Sequence, residues 1–165
     1  MQLARRVTEC YIAALLTLFL LGVGAAGYGA ITGYKFELFC ALTGLWLALL
    51  ALVCLLYRVP LGKPDLPDWL LLGYGGLTLL STLAQGLSLA GGSRKEGFLS
   101  IALYCLIVLA GRLFCRPKPW MLWLLGGSMT VWCVIALIQF AGYNPCSLYP
   151  NGLTWQDAGV AYSGA

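Results

Sequence analysis

The chain has 165 residues, 61% of them hydrophobic and only 10% charged, and its mean hydropathy is +0.86. A soluble domain carries about 25% charged and about 45–50% apolar residues, so this composition excludes an ordinary water-soluble globule and intrinsic disorder alike. The net charge of +4 comes from ten Lys and Arg that stand between apolar runs, not on a basic stripe with interleaved aromatics, so no nucleic-acid partner is expected.

The first apolar run, residues 11–31, follows Arg5, Arg6 and Glu9. It is longer than the roughly 7–15 residues of a signal-peptide core, and it reads as a membrane anchor. The second, 36–57, follows so closely that the two form a tight antiparallel hairpin. A proline-rich connector then stops one helix, and Asp65 or Asp68 caps the next. The third run, 69–90, is the most polar, with Gly73, Gly75, Gly76, Thr78, Ser81, Thr82, Gln85, Gly86 and Ser88. Small and hydroxyl residues let helices approach closely and bond across the contact.

The fourth run, 98–114, is short for a hydrocarbon core about 30 Å thick. Ser93 and Glu96 fit a capping box that would start its helix earlier. The fifth run is 120–140, after Arg116-Pro117-Lys118-Pro119. The expected fold is therefore all-α, a polytopic transmembrane helix bundle of about five spans within residues 1–140. Residues 141–165 form an aromatic, turn-rich extracytoplasmic segment.

Five spans place Arg5, Arg6, Arg58, Lys63, Arg112, Arg116 and Lys118 on one side and Lys35, Arg94 and Lys95 on the other. Positive charge marks the cytoplasmic side, so the N-terminus is expected there. No Asp, Glu, Lys or Arg falls at the middle of a run, which argues against proton relays, ion-coupled pumps and voltage sensors.

Histidine is absent, which removes the usual general base and the commonest metal ligand. The seven cysteines contain no C-x-x-C pair. Neither a metal site nor a cofactor is expected. Cys40, Cys54, Cys105 and Cys133 lie in apolar runs and read as small hydrophobes, whereas Cys146 stands in the polar tail and is the thiol to test for reactivity or pairing.

Gly22-Val23-Gly24-Ala25-Ala26-Gly27 matches G-x-G-x-x-G, but a pyrophosphate loop needs a strand before it and a helix after it. Inside a span these residues signal close packing, as do Gly29 and Gly33, spaced G-x-x-x-G. Arg94 and Lys95 break the charge asymmetry, and they oppose the positive end of the helix they precede. Two readings follow. Glu96 compensates them through the capping box with Ser93, or the cluster holds a phosphate or diphosphate. In the tail, Asn-Pro, Pro-Asn and Asn-Gly are turn signals. Tyr143, Asn144 and Tyr149 there are of the types that contact sugars.

At two segments the chain resembles the bacterial O-antigen ligase and polymerase-like membrane proteins. One is Ser93-Arg94-Lys95-Glu96-Gly97-Phe98. The other lies between Gln139 and Gly164 and includes Phe140, Gly142-Tyr143-Asn144-Pro145, Leu148-Tyr149-Pro150, Asp157-Ala158 and Tyr162-Ser163-Gly164. The resemblance implies a multi-pass protein of the bacterial plasma membrane. It implies transfer of a glycan from a polyprenyl diphosphate carrier to an acceptor in cell-surface polysaccharide synthesis, without metal. It gives Arg94, with Lys95, a diphosphate contact.

Family members have about twice as many spans, and their ligases carry a histidine in a later large loop. On this reading the chain is the N-terminal part of such an enzyme, has no catalytic residue of its own and is inactive alone. The alternatives are a small complete five-span protein that binds lipid or a partner subunit without catalysis, and a transporter subunit.

Overall fold

The computed structural model describes residues 1–24, 31–60, 62–89, 91, 97–145, 148 and 149. Among them every regular element is helical: α1 Gln2–Ala14, a π-helical turn Leu15–Phe19, α2 Ile31–Tyr57, α3 Leu66–Ala84, α4 Phe98–Phe114 and α5 Pro119–Phe140. Two of these, α2 and α5, are long and apolar enough to cross a membrane, and α4 is a shorter apolar helix.

The helix ends have local causes. Asp65 is the N-cap of α3 with proline in its first turn, and Asp68 accepts a hydrogen bond from the Asp65 backbone N–H at 2.9 Å. Pro119 opens α5, where its missing N–H costs no helical bond. α3 stops at Ala84, short of the expected 90, because Gly86 takes a φ of +62°. The Leu87 N–H then bonds the Thr82 carbonyl at 3.1 Å, which closes a Schellman motif. Gly142, φ +87°, ends α5 in the same way, with the Tyr143 N–H on the Ile138 carbonyl at 3.2 Å.

α2 ends in the same motif, with the Val59 N–H on the Cys54 carbonyl at 3.2 Å, but the left-handed residue is Arg58, φ +45°. A side chain there costs about 1 kcal/mol relative to glycine.

The N-terminal boundaries differ from expectation. Helical structure starts at Gln2 and ends just before Gly22, so it begins well ahead of the apolar run 11–31 and overlaps its first part. The early start has a packing cause, since Ala4, Thr8 and Tyr11 are buried. α4 begins at Phe98 with Gly97 as its N-cap, later than the start expected at Ser93. Ser93, Arg94, Lys95 and Glu96 lie outside the described residues, as do Gly29 and Cys146.

The chain divides into two compact units. The first comprises Met1–Tyr11 and Cys40–Arg116. Its core is a polar ladder between α1 and α2. Tyr11 stacks on Trp46 with ring centroids 4.2 Å apart, and its hydroxyl lies 2.9 Å from Thr43 Oγ1. Trp46 Nε1 donates to Thr8 Oγ1 at 3.3 Å, and that hydroxyl donates to the Ala4 carbonyl at 2.9 Å. The sequence separation of the bonded pairs grows toward the N-terminus, which makes α1 and α2 antiparallel. α3 and α4 form a second antiparallel pair, in which Cys105 Sγ contacts the Leu71 carbonyl at 3.8 Å.

The second unit comprises Ile12–Phe39 and Pro117–Ala165. Here the π-helical turn, which leaves carbonyls without their α-helical partners, meets donors from α5. Ser128 Oγ donates to the Leu16 carbonyl and Trp132 Nε1 to the Leu20 carbonyl. Both pairs are 112 residues apart, so the two segments run parallel. Gly22 and Gly24 face Tyr34 and Leu38 of α2 from non-helical chain, not from within a span as expected.

Among the described residues the buried positions include hydroxyl side chains, Thr8 and Thr43, beside apolar ones such as Trp46 and Phe114, while many large apolar side chains face outward: Leu55 is 77% and Trp123 81% exposed.

A methyl group at Gly22 would collide with the Leu18 carbonyl oxygen and approach Leu38 Cδ2 to 3.1 Å. Gly22→Ala is therefore expected to destabilise the chain by about 1 kcal/mol or more. Gly44, inside α2 with open space around it, should gain about 0.5–1 kcal/mol on substitution by alanine. Thermal unfolding of both variants in detergent measures the contrast.

Candidate functional site

The antiparallel pair α3 and α4 is joined by an ion-pair cluster at one end and carries a cleft at the other. At the fastened end Arg112, in the last turn of α4, reaches both acids at the start of α3. Its Nη2 lies 2.8 Å from Asp65 Oδ2, and its Nη1 donates to Asp68 Oδ1. Acids at a helix N-terminus and a cation at a helix C-terminus each oppose the local dipole charge. The planar guanidinium serves both carboxylates at once. Arg112 is partly exposed, so screening limits what the cluster contributes.

At the other end, where the Leu99 N–H donates to the Leu89 carbonyl at 2.9 Å, a cleft of about 450 Å³ is lined by Thr78, Thr82, Ser88, Gly91, Phe98 and Ile101. The Thr78 hydroxyl donates to the Tyr74 carbonyl at 2.8 Å, and the Thr82 hydroxyl to the Thr78 carbonyl at 2.9 Å. Their protons are committed, so both present lone pairs and act as acceptors. Such a wall suits a ligand that brings hydroxyl donors, as a sugar does. Gly91 and Gly97 both line the cleft. The chain between them carries Arg94 and Lys95, and those two residues lie outside the described set.

The tail residues are brought together in a different sense. Asn144 folds the chain back on itself: Nδ2 donates to the Tyr149 carbonyl at 2.7 Å, and Oδ1 accepts the Tyr149 N–H at 3.1 Å. Its amide is thereby committed to a turn. Tyr149 is buried with Leu148 against Val23 and Ile135, while Tyr143 is 70% exposed. Of the three, Tyr143 presents its side chain to the surroundings.

Two further features were not evident from the pattern of residues. Lys35 Nζ lies 5.7 Å from the ring centroids of both Phe19 and Trp132, a cation–π arrangement. Gln139 is 3% exposed, and neither side-chain amide atom has a hydrogen-bond partner among the described residues. The lysine was visible in the sequence as a cation on the minority side of the charge balance. Nothing there signalled its aromatic partners, because Phe19, Lys35 and Trp132 are far apart in the chain. Among the described residues no cluster of cysteine or acidic side chains is arranged to hold a metal ion.

No family model, no curated protein and no solved structure matches the chain.

Arg112→Ala is expected to cost about 1 kcal/mol, the scale of an exposed charge network, with the loss shrinking at high salt. Arg112→Lys should recover less than half, because an ammonium cannot fork between two carboxylates. Unfolding midpoints at low and high ionic strength provide the comparison.

Proposed function

We propose that the chain is a multi-pass protein of the bacterial plasma membrane with five spans and a cytoplasmic N-terminus. The outward-facing apolar side chains and the two long apolar helices support the membrane reading. Water would meet Leu55, Trp123 and their neighbours at a cost of about 25 cal/mol per Å² of apolar surface, whereas lipid accepts them without that cost. The antiparallel pairing within α1–α2 and α3–α4, and the parallel run of α5 beside the π-helical turn, agree with alternating spans. The excess of Lys and Arg on one side supports the orientation.

Within that frame, we propose that the chain contributes the N-terminal helices of an enzyme that transfers a glycan from a polyprenyl diphosphate carrier. The observation that carries this reading is the α3–α4 cleft. Acceptor hydroxyls line it, and the segment joining its two rim glycines holds two cations in sequence. A diphosphate requires the cations, a sugar requires the acceptors, and a prenyl chain requires the apolar flank that Phe98 and Ile101 supply. Arg94 and Lys95 are assigned the diphosphate.

A photoreactive polyprenyl diphosphate analogue, added to the purified chain in nanodiscs, tests the assignment. Label is expected in the peptide that contains α3 and α4. The Arg94→Ala and Lys95→Ala variants should each lose about tenfold in labelling, the effect of one charge-assisted contact. Equal labelling of wild type and both variants would remove the diphosphate from this cleft.

A further inference from the structure

A second cleft, of about 430 Å³, lies between the start of α1 and the end of α2. Its walls are Met1, Gln2, Leu3, Arg6, Val53 and Tyr57. This is the opposite end of the first unit from the α3–α4 cleft, because α2 ends where the connector to the start of α3 begins. The walls are graded. Arg6, Gln2 and Tyr57 supply a guanidinium, an amide and a phenol, and Val53, one helical turn before Tyr57, supplies apolar surface with Leu3.

Arg6 makes no ion pair among the described residues. The first turn of α1 carries no acidic residue. Glu9, the acid of α1, lies close enough to Cys115 to raise its thiol pKa beyond the effect of burial, and it does not line the cleft. The cleft therefore presents the positive charge of Arg6 with no acidic residue in its walls, beside an apolar wall.

We propose that this cleft holds the phosphate head group of an anionic phospholipid. The Arg6 guanidinium takes the phosphate oxygens, the Tyr57 hydroxyl and Gln2 amide supply further donors, and the first acyl carbons lie along Val53 and Leu3. This inference rests on the membrane reading above and follows its orientation. The cleft falls at the cytoplasmic boundary, where anionic lipids concentrate and where basic pockets between helices recognise their head groups. A planar guanidinium suits a phosphate geometrically, and a tyrosine at a helix end suits the interface. A neutral zwitterionic lipid offers the same phosphate with a competing ammonium, so charge complementarity favours the anionic one.

Native mass spectrometry of the whole chain, released from micelles doped with phosphatidylglycerol or phosphatidylcholine, tests this. Phosphatidylglycerol adducts are expected to predominate. Arg6→Ala should reduce them about tenfold. Arg116→Ala, which removes a cation outside the cleft, should leave them unchanged. Val53→Trp fills the apolar wall with every charge retained and should also reduce them. Equal adducts of the two lipids, or wild-type adduct levels in Arg6→Ala with an unchanged helical circular-dichroism signal, would overturn the proposal. Carbonate extraction of membranes separates the two readings. A chain that extracts fails the membrane reading, and one that stays inserted without lipid preference fails only this site.

Discussion

Where the surroundings offer no hydrogen bonds, every buried or lipid-facing polar group must find its partner within the chain, and each failure costs several kcal/mol. That constraint organises the described residues. α1 and α2 are joined through Thr8, Tyr11, Thr43 and Trp46, and the polar atoms of these side chains meet each other or a backbone carbonyl. The carbonyls of Leu16 and Leu20, at the π-helical turn and just beyond it, are met by Ser128 and Trp132. The threonines of α3 return their protons to the preceding turn. Helix ends close on themselves through left-handed residues. Apolar side chains are then free to face outward, since they need nothing from within.

The same constraint bears on the two proposed ligand sites. Groups already satisfied inside the fold have little to offer, and Asn144, with its amide committed to the Tyr149 backbone, is one of these. Groups with spare capacity gather at the two ends of the first unit. The α3–α4 pair is pinned by Arg112 at one end, and its cleft lies at the end near Gly91 and Gly97. Arg6, at the other end of the unit, makes no ion pair among the described residues. Gln139, buried and without a hydrogen-bond partner among the described residues, is the exception within the second unit.

Much of the helical layout was legible from composition and punctuation. Apolar runs separated by proline and charge marked α2, α4 and α5 to within a few residues, and Asp65 was readable as a cap. The misplacements have physical reasons. Hydropathy could not see that Ala4, Thr8 and Tyr11 would be buried against α2, because burial through hydroxyl contacts leaves no apolar signature. Gly86 shortened α3 where an apolar run continued past it. The π-helical turn had no sequence mark at all, since its stability comes from donors 112 residues away. Of the expected site residues, Asn144 and Tyr149 proved to be joined as a turn. Arg94, Lys95, Ser93 and Glu96 fall outside the described residues.

Both proposed sites depend on the proposed alternation of the helices across a bilayer. Single cysteines introduced in a cysteine-free chain at Lys63, between α2 and α3, and at Gly91, between α3 and α4, measure it directly with a membrane-impermeant maleimide on intact cells. Gly91→Cys should label and Lys63→Cys should label only after permeabilisation. Labelling of both positions in intact cells, or the reverse pattern, would contradict the spanning of α3 and the orientation assigned to the chain.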